Sequence, residues 1–427
     1  MSVYSSVDGN KKLQNKTQKK IYLFFTASIV NVGGGQIYIR RKINYLKNNG
    51  FTPIVYSFSY GNCIIDDLKN FEPEIIPEIR YPISAYAHKI SLGIKKKILS
   101  FIHSNYDSII VESHEYVTST WGESIAQDLN AKHIVYLLTE TPWKIPLEWQ
   151  SFLFMKYKRG ELFLISSAIA KLFIAKFFNT NEDNPEKRTL RVKYGSVVEN
   201  VSEARFGIRY EKDSITICSI GRLEKPFVYP MCCDLLAFIK EAPNFHFTVI
   251  FLGGSRLRKD KKRIEHLFSE IKNCTLCITD FLYPIPESIL KKSDVCISSA
   301  GSARVSAKLG IPTISIDCED YKPIGVVNYT TKNTVKRDNE KIRSLSDWLR
   351  EILIEKKYKK HWIPPKNVEP DFSNHLDVLS PKECQYFDVY NIKSQSKVVY
   401  KAWILWFLGL LKCRKFIFKI RSLVHND

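Results

Sequence analysis

Apolar and polar positions in this chain fall into two recurring patterns. Residues 21–27 form a nearly unbroken apolar run, and Gly33, Gly34 and Gly35 follow it. A short apolar run bounded by turn residues predicts a buried strand. Residues 36–48 carry Ile39, Ile43 and Leu46 at helical spacing, and Asn49-Gly50 stops them. Residues 52–58 are the next predicted strand, followed by 108–111, 132–138 and 162–166. The pattern restarts at Ser214. Strands are predicted at 215–220, 245–252, 274–278, 294–298 and 312–316. Helices are predicted at 231–240, 261–271, 286–292 and 302–309. Strands alternating with helices imply parallel sheets covered by helices. The expected class is α/β, with two Rossmann-like domains whose parallel sheets face a central cleft. Apolar periodicity lapses between Gly195 and Lys212, so the first domain is assigned to 21–205 and the second to 206–395.

The two ends depart from this pattern. Residues 1–20 are polar and basic and read as a disordered arm. Residues 396–427 alternate apolar and basic blocks, and Trp403 and Trp406 lie within the apolar run 402–411. Phe416, Ile417, Ile420, Leu423 and Val424 share a helical face, from which Lys412, Lys415 and Lys419 turn away. That run is too short to span a bilayer. A basic, Trp-bearing amphipathic helix is expected to lie in a membrane interface. The alternative is a terminal helix docked on the protein with solvated lysines.

Composition narrows the picture. Apolar residues make up 44% of the 427 and charged residues 25%, which excludes a wholly disordered chain. The net charge is +20, and residues 1–20, 256–263 and 396–427 supply 15 of it. Such an excess points to phosphates, on nucleic acid, an anionic membrane or a phosphorylated substrate. No nucleic-acid module is recognisable, and the excess lies in two ends and one short stretch, so nucleic acid is not the expected partner. Cys218, Cys277 and Cys296 sit in apolar runs, as free thiols do. Cys274 and Cys277 lack a second pair at zinc-finger spacing, so no metal is expected and a reducing cytosol fits. The polar, basic N-terminus does not read as a signal peptide.

Four loops after predicted strands could carry chemistry. Gly33-Gly34-Gly35 lets a backbone approach a ligand and opens a helix whose N-terminus favours an anion; the plain alternative is a tight turn. Gly221-Arg222-Leu223-Glu224-Lys225 offers a guanidinium and an ammonium to a diphosphate, unless Arg222 merely pairs with Glu224. Ser298 to Arg304 leads into a helix, with Ser302 as the expected N-cap and Gly301, Ala303 and Arg304 beside it. Glu112-Ser113-His114-Glu115 places a histidine and carboxylates at a strand end, suited to a base or to holding a sugar hydroxyl. Thr139-Glu140-Thr141 is a similar candidate. No Walker loop, nucleophile elbow or HExxH occurs.

In order, these segments resemble the GT-B glycosyltransferases of the family-4 type. Gly33-Gly34-Gly35-Gln36 resembles that family's first glycine loop. Ser219 to Lys225 resembles the strand ending in G-R-L with a nearby lysine. Phe251-Leu252-Gly253-Gly254, Lys292-Ser293-Asp294-Val295 and Gly310-Ile311-Pro312-Thr313-Ile314 follow in the family's order, over about residues 21–330. The family's two glutamates, spaced E-x7-E, are absent: Ile297 and Val305 occupy the matching positions.

The resemblance implies metal-independent transfer from a nucleotide-diphospho sugar as co-substrate, without a cofactor and with retention of configuration. It implies donor contacts at Arg222, Lys225, Gly253, Gly254, Gly301, Ser302, Ala303 and Arg304. His114 and Glu115 would be catalytic, and Gly33, Gly34 and Gly35 would form an acceptor or phosphate loop. A basic tail suits a glycan or lipid-linked acceptor at an anionic membrane. That implies a cytoplasmic enzyme, peripheral at the inner face of the cell membrane, in bacterial capsule or O-antigen synthesis. The alternatives are a GT-B scaffold that has lost catalysis and serves as an assembly partner, and an enzyme such as a sugar epimerase.

Overall fold

The computed structural model describes residues 19–30, 32–59, 65, 71–102, 106–138, 145–181, 184–190, 197–211, 213–255, 257–366, 370–377 and 385–411. The arm 1–18, Thr139-Glu140-Thr141, Arg256 and the tail beyond Leu411 lie outside them, and so do the predicted tail positions Phe416 to Val424.

The first sheet contains β1 (Lys20–Thr26), β2 (Phe51–Ser57), β3 (Glu74–Ile75), β4 (Ser108–Ser113), β5 (Lys132–Leu137) and β6 (Leu162–Leu164). Its order is β3-β2-β1-β4-β5-β6, all parallel. Helices α1 (Gly34–Asn48), α2 (His88–Leu99), α3 (Tyr116–Asp128), α4 (Leu147–Lys158) and α5 (Ser167–Phe178) accompany it. Side chains alternate across a strand, and β1 shows the result. Ile21, Leu23 and Phe25 pack on one face with Trp121 and Phe152, while Tyr22 and Phe24 pack on the other with Ile39, Ile43 and Leu46 of α1. Both faces are covered, which is why the strand reads as continuously apolar.

The second sheet follows a two-residue strand, β7 (Val198–Glu199). It contains β8 (Ile215–Ile220), β9 (Phe247–Leu252), β10 (Cys274–Ile278), β12 (Val295–Ser298), β13 (Thr313–Ile316) and β14 (Pro323–Val326). The short β11 (Ile285–Pro286) pairs with β7. The order β10-β9-β8-β12-β13-β14 repeats the first sheet's arrangement, except that the edge strand β14 is antiparallel. Its helices are α6 (Val228–Glu241), α7 (Arg258–Phe268), α8 (Glu287–Lys292), α9 (Ala300–Lys308) and α10 (Leu345–Leu349).

The chain then returns to the first sheet. Phe372, just ahead of α11 (Ser373–Asp377), packs in the α1-side core. Val389, Ile392 and Ala402 of α12 (Ser396–Leu410) pack in the core on the opposite face. Phe372, Val389 and Ile392, counted with the second domain on sequence, therefore complete the first. Their apolar side chains are spread over irregular structure, which leaves no periodicity to assign them by.

Candidate functional site

Strand order reverses between β1 and β4 in the first sheet and between β8 and β12 in the second. At such a point the connections leave in opposite directions, opening a crevice at the carboxyl ends of the strands. Gly33, Gly34 and Gly35 follow β1, and His114 and Glu115 follow β4. Gly221 to Lys225 follow β8, and Ser299 to Arg304 follow β12. The predicted loops thus flank both reversal points.

In the second sheet the cradle is backbone. Gly253 (φ +153°) lies so close to Gly221 that a Cβ would sit 2.0 Å from the Gly221 carbonyl oxygen. A Cβ on Gly254 would sit 2.9 Å from the Phe281 nitrogen. Leu223 N–H donates to the Gly254 carbonyl at 2.9 Å, joining the two glycine turns. Arg222 pairs with Glu224 at 3.3 Å, and Lys225 stands 5.8 Å from the Phe227 ring centre. The predicted cap is corrected. Ser299 is the N-cap of α9, and Ser302 lies in its first turn. β12 runs to Ser298, and Ala300 takes a left-handed φ of +53° that turns the chain at once into the helix. Gly301 and Ser302 are in that first turn, where backbone N–H groups have no partner within a helix. Arg304 Nε donates to Thr334 Oγ1 at 3.0 Å. On basic α7, Arg258, Lys259 and Lys262 are exposed, Lys261 pairs with Asp280 at 2.9 Å, and Arg263 stacks on Tyr229 at 3.4 Å.

In the first sheet the site rests on charged side chains. His114 is buried, and its Nε2 lies 2.7 Å from Glu112 Oε1. Glu115 precedes α3 as its N-cap residue, and burial pushes its carboxyl up to about 7. Between the halves, Arg40 of α1 donates to the Tyr283 hydroxyl at 2.7 Å, and Tyr283 packs in the α1-side core.

No family model matches this sequence, and no curated protein matches it. Solved structures do match. HepE of Anabaena, in complex with UDP and glucose, is 12% identical and aligns over 80% of this chain and 92% of its own, with a TM-score of 0.54. Sucrose-phosphate synthase of Thermosynechococcus elongatus is 11% identical over 92% of this chain and all of its own (100%), with a TM-score of 0.52. The chain has the GT-B fold.

Beneath the first half of this GT-B cleft, Glu112 and His114 of the predicted loop join Tyr22, Tyr38, Lys42 and His375, which the sequence reading missed. Glu112 Oε2 accepts from Tyr22 and from Lys42, both at 2.5 Å, and Oε1 accepts from Tyr38 at 2.7 Å as well as from His114. Lys42 Nζ also lies within hydrogen-bond distance of the hydroxyls of Tyr22 (2.8 Å) and Tyr38 (3.0 Å) and of His375 Nδ1 (3.0 Å), so its three protons are shared among four acceptors. Both Lys42 and Glu112 are fully buried. Burial pushes the Glu112 carboxyl up, but Lys42 and the His114 hydrogen bond outweigh it and hold Glu112 well below the usual range. Burial, then Glu112, keep Tyr22 and Tyr38 as neutral phenols. Burial, then Lys42, lower His375 to about 2, so its ring is neutral. The available signal was Lys42 in the buried phase of α1, four residues after Tyr38, and Glu112 ending an apolar strand.

The other face of β4 carries a second network. Ser113 Oγ lies 2.9 Å from His133 Nε2, and His133 Nδ1 lies 2.7 Å from Glu123. Glu123 also pairs with Lys156 and accepts the Phe387 N–H at 2.8 Å. The order Ser–His–Glu matches a nucleophile relay. All three side chains are buried, however, and a Cβ on Gly122 would touch Ser113 Oγ at 2.2 Å, so the serine is packed in. This network braces the strand.

Proposed function

We propose that this protein is a glycosyltransferase that moves a sugar from a nucleotide-diphospho sugar to a glycan or lipid-linked acceptor. The observation that carries this reading is the pairing of unlike loops at the two reversal points. A glycine and helix-start cradle with Arg222 and Lys225 lies on one side, and His114 with Glu115 on the other. HepE, of the same fold, was solved with UDP and glucose. On this reading the diphosphate displaces Glu224 from Arg222. Arg222 and Lys225, with the first-turn N–H groups at Gly301 and Ser302, balance the charge that grows as the diphosphate leaves. The acceptor enters past Gly34 and His114, and closure of the two halves excludes water. The co-substrate supplies the leaving group, so the step calls for no cofactor or metal.

The tail supports action at a membrane surface. On α12, Tyr400, Trp403, Ile404, Phe407 and Leu410 are exposed and, with Leu411 just beyond, recur at helical spacing. Among the described residues no helix is long and apolar enough to cross a bilayer. An exposed apolar face on a helix rich in Trp, with the basic stretch beyond it, fits an anionic interface. We therefore place the enzyme as peripheral at the inner face of the cell membrane, acting in surface polysaccharide synthesis such as capsule or O-antigen. Trp403→Ser with Phe407→Ser should release the protein from anionic liposomes and leave nucleotide binding intact; continued sedimentation with the vesicles would sink the anchor.

The donor site is tested by thermal shift with UDP, GDP and CMP and their sugars. One nucleotide should stabilise the protein by mass action. Arg222→Ala should weaken that binding by about 2–4 kcal/mol. The second reading, a scaffold without catalysis, draws on buried Ile297 and on Val305, which packs into the core, where the family has glutamates. No response to any nucleotide would favour it.

A further inference from the structure

The proton positions beneath His114 can be assigned from chemistry alone. An ammonium only donates, and a carboxylate only accepts. Lys42 therefore donates to His375 Nδ1, whose lone pair must be bare. The other ring nitrogen, His375 Nε2, is buried and has no hydrogen-bond partner among the described residues. Lys42, Tyr22 and Tyr38 all donate to Glu112. The contact left on Glu112 is His114 Nε2, at 2.7 Å, so Nε2 carries a proton. In the neutral ring Nδ1 is then a bare acceptor. Among the described residues nothing meets that nitrogen, although it is buried. An unmet buried acceptor is costly, and at His114, whose loop follows β4 at the reversal point, it marks a place for a substrate hydroxyl.

We infer that Lys42, Glu112 and His375 are positioning residues that fix His114 as its Nε2–H tautomer, with Nδ1 as base for the attacking hydroxyl. This inference rests on the glycosyltransferase reading for its substrate. The acceptor O–H proton passes to Nδ1, giving an imidazolium whose Nε2–H stays on Glu112. The acceptor oxygen bonds to the anomeric carbon. The bond from that carbon to the phosphate oxygen breaks, and its electron pair leaves with the diphosphate toward Arg222 and Lys225. A base on one half acting opposite a leaving group held by the other gives inversion, in contrast to the retention implied by resemblance. His375 comes from the returning segment, so the C-terminal part of the chain belongs to the base's support.

Two measurements test this. In protein labelled with nitrogen-15 histidine, His114 is assigned by its loss in His114→Gln. Its Nδ1 should resonate as a bare, pyridine-type nitrogen and its Nε2 as N–H; the reverse tautomer overturns the assignment. His375→Leu should mix the two tautomers, and His375→Asn, which keeps an acceptor near the Nδ1 position, should restore one; an unchanged tautomer in His375→Leu removes His375 from the role.

The second measurement follows hydrolysis of UDP-glucose, or of whichever nucleotide sugar stabilises the protein, by proton NMR before mutarotation. An α-linked donor should release the β-sugar first. His114→Gln should lower kcat by about 100- to 10,000-fold, with KM for the donor nearly unchanged. Release of the α-sugar first, or a bound donor that is never cleaved, overturns the base role. Absence of nucleotide binding overturns the glycosyltransferase reading, and the tautomer result stands apart from it.

Discussion

Around β4 the first sheet buries Lys42, Glu112, His114, Glu123, His133 and Lys156, whereas the second sheet, around β12, buries Ser298, Ser299, Ser306, Thr313 and Ser315. Among the described residues Asp317 is the one buried charge of the second half, and it accepts the N–H groups of Glu319 and Arg337. The sheets share a strand order, so the difference lies in the side chains buried at the strand ends. A network of ionised groups pays desolvation and in return fixes where protons sit. Backbone N–H groups and hydroxyls carry no proton that moves at neutral pH and suit a multiply charged anion. On the proposed function, one half handles a proton and the other holds a phosphate.

The largest expected effect breaks the first network. Glu112→Gln leaves Lys42 buried without its counter-charge and should cost about 3–5 kcal/mol in urea unfolding. Adding Lys42→Met should recover most of that loss. A single mutant close to wild type would mean that the pair is not a dry ion pair.

Breaking the second half needs a backbone change. Gly253→Ala forces a Cβ against the Gly221 carbonyl at a φ of +153°. It should cost about 1–3 kcal/mol and abolish the nucleotide response; a variant with normal binding would separate the glycine turns from the donor site.

Acid sharpens the comparison. Burial, then Lys156, hold His133 down to about 4. The unfolded histidine takes a proton near pH 6.5, which the folded one refuses. Stability is thus lost as pH falls from about 6.5 toward 4. Glu115 runs the other way. With its carboxyl raised to about 7, its contribution is complete at low pH and is lost as pH rises from about 4.5 to 7. Melting temperatures across pH should show the acid loss reduced in His133→Gln and the neutral-side loss reduced in Glu115→Gln. Equal slopes in wild type and His133→Gln would refute the assignment.

The smallest effect is expected at Arg222. Its pair with Glu224 is partly exposed, so Arg222→Ala should move stability by less than about 0.5 kcal/mol. The variant should be stable yet bind nucleotide more weakly by about 2–4 kcal/mol. A large stability loss would mean that Arg222 is structural.

Much of this was legible in the chain. The largely apolar runs of β1, β8 and β9 and the glycines after them marked the strand ends and their loops, while the strand order that makes two of those ends reversal points came from the sheet pairing. The cap of α9 was misplaced by three residues because a left-handed Ala300 has no signature in side-chain type. The cluster around Glu112 was hidden for a different reason. Tyr22, Lys42 and His375 are far apart in sequence, and each looks ordinary alone. Only the strand pairing and the return of the chain bring them together.

That return also has a bearing on biosynthesis. The first half is assembled from both ends of the described chain, with the second half inserted between them. A ribosome releases the inserted half while Phe372, His375, Val389 and Ala402 are still to come. The second half can then close around its own core during synthesis, as domains do, while the first waits with two faces unsealed. The half that opens the chain is the last to be finished, and a chaperone meeting the nascent protein would find its exposed apolar surface there.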